Sequence, residues 1–165
     1  MNNIEIERKY NVVGNDWRDI TPTDIQQITQ GFLHHAGDVV VRVRLISKDF
    51  KTIDHAYCTT KIRDSKEFCV ELENEVDIAT GFKLLSKCNG YVNRKIRTTI
   101  TLDGVDWEID QYEDYDRCSV DVEVAQESDF DKLQFPSFIG TRYDGLSNFQ
   151  LARVNASGLP GEWWK

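Results

Sequence analysis

IEIERK, at residues 4–9, places a charged side chain at every second position, namely Glu5, Glu7 and Lys9. Successive side chains of a β-strand point to opposite faces of a sheet, so these three share one face and the two isoleucines share the other. The stretch therefore predicts a strand with one charged and one apolar face.

The same doubling of charge recurs on further stretches that alternate in the same way. The charged positions are Arg42 and Arg44; Glu71, Glu73 and Glu75; Lys95 and Arg97; Glu108 and Asp110; and Asp121 and Glu123, with Lys61 on another alternating stretch. On a single strand this pattern is typical of the solvent-exposed face of an antiparallel sheet. Here, however, each strand carries mainly one sign of charge, and like charges as near neighbours repel one another. The pattern favours a cavity lined by facing acidic and basic strands, with the apolar faces packed outward beneath helices.

Alternation along the whole chain predicts a mainly β (α+β) fold. The predicted strands are Ile4–Val12, Asp24–Leu33, Val39–Ile46, Ala56–Arg63, Phe68–Val76, Tyr91–Asp103, Val105–Tyr112 and Cys118–Ala125. Helical spacing predicts Ile78–Cys88 after an N-cap at Asp77, a short turn of helix at Asp129–Leu133, and Leu146–Ala156. Eight strands joined by short turns indicate an antiparallel sheet closed into a barrel, with a few flanking helices, in a single domain over residues 1–165.

Composition narrows the classes of function. The 165 residues carry a net charge of −8, which argues against nucleic acid and anionic membranes as partners. Apolar runs are too short to span a bilayer, and the N-terminus has no apolar secretory core. The four cysteines form no metal-binding spacing, so we expect free thiols and a cytoplasmic location. The oligomeric state stays open between monomer and homodimer.

Paired carboxylates and paired cations on rigid strands suit a particular kind of ligand. Carboxylate oxygens are ligands that hard divalent cations such as Mg²⁺ or Mn²⁺ prefer. Lys and Arg side chains bind phosphate oxygens. Because no Ser, Cys or His nucleophile is indicated by spacing, water is the expected nucleophile. The charged face therefore predicts a site for a metal–polyphosphate complex.

The charged stretches also resemble a known family. The matching segments are IEIERK (4–9), QGFL (30–33), VRVR (41–44), Thr60-Lys61, ELENEV (71–76), Lys95-Ile96-Arg97, WEID (107–110), Asp121-Val122-Glu123, and a closing set of Ile139-Gly140, Arg142-Tyr143, Asn148 and Leu151. Their order is similar to that of the CYTH superfamily, the triphosphate tunnel metalloenzymes. The EIERK form resembles the bacterial inorganic triphosphatase branch.

This resemblance implies an eight-stranded antiparallel tunnel that holds a small-molecule triphosphate. Phosphate-binding residues would be Lys9, Arg42, Arg44, Lys61, Lys95 and Arg97. Metal ligands would be Glu5, Glu7, Asp121 and Glu123, with Glu108 and Asp110 close by. Further residues that line the tunnel would be Glu71, Glu73, Glu75 and Arg142. The residues with a direct catalytic role would be Glu5, Glu7, Lys9 and Glu73.

Some positions depart from the family pattern. Phe32 stands where a tyrosine is usual, Cys69 where a basic residue is common, and Asp121 where a glutamate is usual. In the closing segment, DGLS at residues 144–147 separates Arg142-Tyr143 from Asn148, a longer spacing than in the family pattern. The histidines at 34, 35 and 55 are expected to be surface residues, and the sequence does not decide whether Trp163 and Trp164 dock on the barrel.

Three functions therefore remain at this stage. The first is a metal-dependent triphosphatase acting on inorganic triphosphate, and on nucleoside or thiamine triphosphates as further substrates. The second is a class IV-like adenylate cyclase, which would direct a ribose hydroxyl instead of water. The third is a module that binds polyphosphate or nucleotide without turnover.

Overall fold

A computed structural model of the chain describes residues 4–157, so Trp163 and Trp164 lie outside the described residues. Within that range the strands are β1 (Ile4–Val12), β2 (Asp24–Ala36), β3 (Val39–Ser47), β4 (His55–Arg63), β5 (Phe68–Val76), β6 (Val92–Leu102), β7 (Val105–Tyr112), β8 (Cys118–Val124) and β9 (Ile139–Arg142). The helices are α1 (Ile78–Ser86) and α2 (Asn148–Ser157), with 3-10 turns at Asp16–Asp19 and Glu127–Lys132.

Eight antiparallel strands close into a barrel in the order β5-β4-β3-β2-β6-β7-β8-β1, and β1 returns to β5. The closing contact between β1 and β5 is short, since it extends only from the pair Ile4–Val70 to the pair Ile6–Phe68. The far half of the same edge of β1 pairs with β9, which the sequence did not predict as a strand. The closed antiparallel barrel itself confirms the predicted fold.

The apolar faces of β1, β7 and β8 point away from the barrel interior, as predicted. Trp107, Ile109 and Val120 are buried there, beneath Phe130 of the second 3-10 turn and Phe138 of the following loop. Since this core lies outside the barrel, the inner faces of the same strands are left for charged side chains.

Helix α1 begins as the sequence predicts, with the Asp77 side chain accepting a hydrogen bond of 2.8 Å from the Thr80 backbone N–H. It ends two residues earlier than predicted, at Ser86. Asn89 (φ 52°) and Gly90 (φ 80°) then turn the chain into β6. The helix packs against β2, β3 and β4, where it covers another part of the outer barrel surface.

Helix α2 packs against β6 and β2, and its first turn lines the barrel cavity. Asn148 joins it to the strands, because its backbone carbonyl accepts a hydrogen bond of 2.8 Å from Asn93 and its side chain accepts one from the Tyr112 hydroxyl. None of the helices in the described range has the length and apolar character needed to cross a membrane.

Candidate functional site

The barrel encloses a cavity of about 470 Å³. Strand directions and register place Glu73, Glu108 and Glu123 toward one end, which we call the acidic end. They place Arg63 and Lys66 toward the other end, which we call the basic end. The charged side chains predicted from period-2 alternation therefore do face one common space.

A wall of carboxylates runs along β1, β7 and β8. Glu7 lies directly opposite Glu123 on the neighbouring strand, and Glu108 lies opposite Asp121. Burial and the Asp121 carboxylate raise the pKa of Glu7 to about 7, and burial together with nearby glutamates, Glu5 first, raises the pKa of Glu123. These raised pKa values mean that the protein's own cations do not fully neutralise the carboxylates of Glu7 and Glu123. An oxygen-donor set with excess negative charge fits a hard divalent cation.

Lys9 carries the positive charge of this wall. Its ammonium lies 2.9 Å from a carboxylate oxygen of Asp121. Burial alone lowers the pKa of Lys9, but the surrounding acidic groups, Asp121 first, together outweigh burial and leave the pKa above its ordinary value. Lys9 is therefore a permanent cation next to the proposed metal ligands.

A second cation bridges two carboxylates across the barrel closure. The Lys61 ammonium lies 2.6 Å from both Glu5 and Glu71. The Cys69 thiol also contacts Glu5, at 3.6 Å, so Glu5, Cys69 and Glu71 form a group that could ligate a metal. Since Lys61 already pairs with both carboxylates of that group, whereas Glu7 and Glu123 form no ion pair with a described residue, the wall of Glu7 and Glu123 is better suited to hold a cation.

Two arginines on β3 face the cavity without a carboxylate partner. Arg42 and Arg44 form no ion pair with a described residue, and the buried Nε of Arg42 has no hydrogen-bond partner within residues 4–157. Burial, and then Arg44, lower the pKa of Arg42 to about 9. A buried guanidinium that lacks an anion is suited to bind phosphate oxygens.

Lys95, Asp110 and Arg97 form a buried network behind the cavity surface. Lys95 donates a hydrogen bond of 2.6 Å to Asp110, and both side chains have no exposed surface. Arg97 donates to the same carboxylate through Nε (2.7 Å) and Nη2 (2.8 Å) and also contacts Glu108. Burial lowers the pKa of Lys95 to about 7 despite Asp110, while Arg97 and Lys95 outweigh burial and hold the pKa of Asp110 well below its usual range.

Most of the residues predicted from sequence meet in the cavity. Those that line it are Glu5, Glu7, Lys9, Arg42, Arg44, Lys61, Glu71, Glu73, Arg97, Glu108, Asp121, Glu123 and Arg142. Lys95 and Asp110 do not line it, because they are fully buried against each other. Glu75 does not line it either, because it lies beyond the acidic end, where its exposed side chain contacts His55 at 2.7 Å.

The cavity lining also includes residues to which the sequence gave no role. At the basic end these are His35, Val40, Arg63, Lys66 and residues 143–145, 147 and 149. A bulge in β2 between Phe32 and His34 turns His35 toward the cavity opposite Val40. A bulge is set by pairing with the neighbouring strand, so alternation within β2 alone could not reveal it.

Comparison with known proteins gives a consistent result for the fold. The chain is 25% identical over 142 residues to an inorganic triphosphatase of Acetivibrio thermocellus, an alignment that covers 86% of each chain. The crystal structure of the inorganic triphosphatase NE1496 superposes with a TM-score of 0.58 at 22% identity, over 90% of this chain and 93% of the other. These relatives are consistent with the resemblance to the CYTH superfamily that the sequence motifs indicate.

The barrel also matches a solved structure with little sequence similarity. PH1819 from Pyrococcus horikoshii OT3 superposes with a TM-score of 0.65 at 14% identity, over 94% of this chain and all of the other. No family model matches the sequence. The resemblance to the CYTH superfamily therefore depends on the ordered charged motifs, the closed barrel and the relatives together.

Proposed function

We propose that the protein is a divalent-metal-dependent triphosphatase that hydrolyses inorganic triphosphate inside the barrel. The observation that carries this proposal is that one cavity has carboxylates that the protein's own cations do not fully neutralise on one wall and arginines without carboxylate partners on another. Such a cavity is complementary to a metal cation and a polyanion bound together. The name of the Acetivibrio thermocellus relative supports the choice of substrate.

The metal would be held by Glu7 and Glu123, with Glu5, Glu108 and Asp121 close by. These are oxygen donors of the kind that Mg²⁺ and Mn²⁺ prefer, so we propose one of these two ions. When bound, the ion neutralises phosphate charge and lowers the pKa of water.

The cations of the cavity would bind and orient the triphosphate. Arg42 and Arg44 face the cavity from β3, while Lys61 and Arg97 face it from β4 and β6. Because Arg97 is held by Asp110 and Glu108, its position is fixed before the substrate binds. Fixed cations stabilise the charge that develops on the phosphate oxygens without further rearrangement of the protein.

Hydrolysis transfers the terminal phosphoryl group to water. The water oxygen bonds to the terminal phosphorus, the bridging P–O bond breaks, and pyrophosphate leaves. We assign Glu73 to orient the water and take its proton, because Glu73 lines the acidic end and is itself held by the Thr59 hydroxyl at 2.9 Å. Lys9, paired with Asp121, would neutralise charge next to the reacting phosphate.

Product analysis tests this function. With Mg²⁺ or Mn²⁺, inorganic triphosphate should yield orthophosphate and pyrophosphate in equal amounts, and ATP should yield no cyclic AMP. Cyclic AMP and pyrophosphate from ATP would instead show the cyclase that the sequence left open. Tight binding of triphosphate in a calorimeter with no product after hours would show a binding module, and either result contradicts the proposal.

A further inference from the structure

Two buried amides stand in a row with Arg44 across three neighbouring strands. Arg44 on β3 lies directly opposite Gln30 on β2, and Gln30 lies directly opposite Asn93 on β6. Directly opposite residues of antiparallel strands point to the same face of the sheet, so all three side chains are on the inner face of the barrel. Gln30 and Asn93 are fully buried and do not line the cavity, whereas Arg44 does. The amides therefore lie behind the cavity surface, next to one of its arginines.

Hydrogen bonds run through this row in one direction. The Asn93 side chain donates a hydrogen bond of 2.8 Å to the backbone carbonyl of Asn148, at the start of α2. Since a carbonyl only accepts, Asn93 must turn its amide nitrogen to Asn148 and its amide oxygen to Gln30. Gln30 Nε2 donates to that oxygen at 2.7 Å, and Gln30 Oε1 accepts from Arg44 Nε at 3.4 Å. The backbone of α2 thus fixes which end of the Gln30 amide faces Arg44.

A neutral acceptor has a particular advantage at this position. Gln30 holds Nε of Arg44 and leaves the two Nη groups to donate to phosphate oxygens. Because the amide carries no charge, it orients the guanidinium without neutralising it, unlike the Asp110 carboxylate that holds Arg97. A guanidinium that is already oriented also loses less side-chain entropy when an anion binds.

We propose that Gln30 is a positioning residue for triphosphate, which acts through Arg44 and is itself held in orientation by Asn93. The same row joins the phosphate-binding wall to the first turn of α2, where Asn148 and Phe149 line the cavity. This inference rests on the proposed triphosphatase function, because it adds a residue behind the cavity surface to the phosphate-binding site.

Two glutamines on opposite faces of β2 provide a matched pair of variants. Gln30→Met keeps the length of the side chain and removes the acceptor for Arg44. It should raise KM for inorganic triphosphate, and Kd for the same compound measured by calorimetry in EDTA, about 10-fold, since a hydrogen bond to a charged group typically contributes a factor of this size. The value of kcat should stay within about 3-fold. Gln27→Met, on the outer face where Gln27 bonds to Glu113, should leave KM and Kd within about 2-fold.

A double-mutant cycle separates positioning of Arg44 from a general loss of structure. In an Arg44→Met background, Gln30→Met should raise Kd by no more than about 2-fold further, because the group through which Gln30 acts is absent. Arg42→Met is the control background, since Arg42 lies on the same face of β3 but forms no hydrogen bond with Gln30, and there the full 10-fold effect should remain. If Gln30→Met does not fold, Asn93→Ala takes its place, and its rise in Kd should likewise disappear in Arg44→Met.

The outcomes distinguish this inference from the proposed function. An equal effect of Gln30→Met in all three backgrounds, a fall in kcat with unchanged KM, or an equal effect of Gln27→Met would overturn the positioning role and leave the triphosphatase in place. If the wild-type protein binds triphosphate without releasing phosphate, the proposed function fails, and an effect confined to proteins that retain Arg44 still supports the positioning role. A wild-type protein that binds no triphosphate would overturn both.

Discussion

Asp110 illustrates how a charged residue of the inner face can serve the fold as well as the site. Both of its carboxylate oxygens accept hydrogen bonds, from Lys95 and from the fork of Arg97. The sequence predicted Asp110 as a residue near the metal, and that role stays a prediction. The contacts support a positioning role, in which Asp110 fixes the direction of the Arg97 side chain.

Asp110→Asn should be strongly destabilising. The amide keeps the shape of the side chain but leaves Lys95 and Arg97 without a compensating charge in a buried place, which typically costs about 3–5 kcal/mol of the free energy of unfolding. Glu108→Gln is the control, because Glu108 pairs with the same Arg97 but is one third exposed, and its loss should cost at most about 1 kcal/mol. Urea denaturation of both variants measures the difference, and equal losses would contradict the buried network.

At the scale of elements, close contact between α1 and the barrel depends on two glycines. A Cβ atom at Gly81 would lie 2.6 Å from Ala56 Cβ, and one at Gly31 would lie 2.5 Å from Cys88 Sγ and 2.9 Å from Leu85 Cδ1. These distances are shorter than ordinary contacts between carbon atoms or between carbon and sulfur. The absence of side chains at both positions therefore sets how closely the helix and the loop after it approach β2 and β4.

Gly31→Ala should lower the free energy of unfolding by about 1–3 kcal/mol, because it overpacks this interface. In a Cys88→Ala background the same substitution should cost at least about 0.5 kcal/mol less, since the nearest atom has been removed. A double-mutant cycle measured by chemical denaturation tests this. Strictly additive losses would show that the Cys88 thiol does not limit the approach.

The elements differ in how far the sequence predicts them. The bounds of β1, β5 and β7 match the prediction, because alternation and turn residues are local signals. Asp103 and Gly104 have positive φ angles and form the tight turn between β6 and β7. By contrast, β9 forms because the short β1–β5 contact leaves part of an edge open, which only the closed barrel determines.

At the scale of the molecule, the barrel separates charge along its axis. Glu73, Glu108 and Glu123 lie toward the acidic end, Arg63 and Lys66 lie toward the basic end, and the net charge of −8 does not reveal this arrangement. Period-2 alternation predicted which residues face inward, because that property belongs to each strand separately. Arg97 and Lys95 lie on the same face of β6, but only Arg97 lines the cavity, while Lys95 is fully buried. This difference depends on the side chains packed around them inside the barrel, so alternation along β6 could not predict it.

The central claim is that the carboxylate wall holds a divalent cation without which triphosphate is not hydrolysed. Glu7→Gln removes one charge from the centre of that wall and keeps the side-chain volume. Because the protein's own cations do not fully neutralise the Glu7 carboxylate when no metal is bound, the substitution should not lower the melting temperature measured in EDTA. Glu127→Gln, at an exposed position in the second 3-10 turn, is the matched control.

The most direct test is orthophosphate release from inorganic triphosphate by the wild-type protein, Glu7→Gln and Glu127→Gln, each with Mg²⁺, with Mn²⁺ and with EDTA. We predict metal-dependent release by the wild-type protein and Glu127→Gln, none in EDTA, and a loss of about 100-fold or more in Glu7→Gln. Undiminished release in EDTA, or full activity of a folded Glu7→Gln protein, would contradict the account.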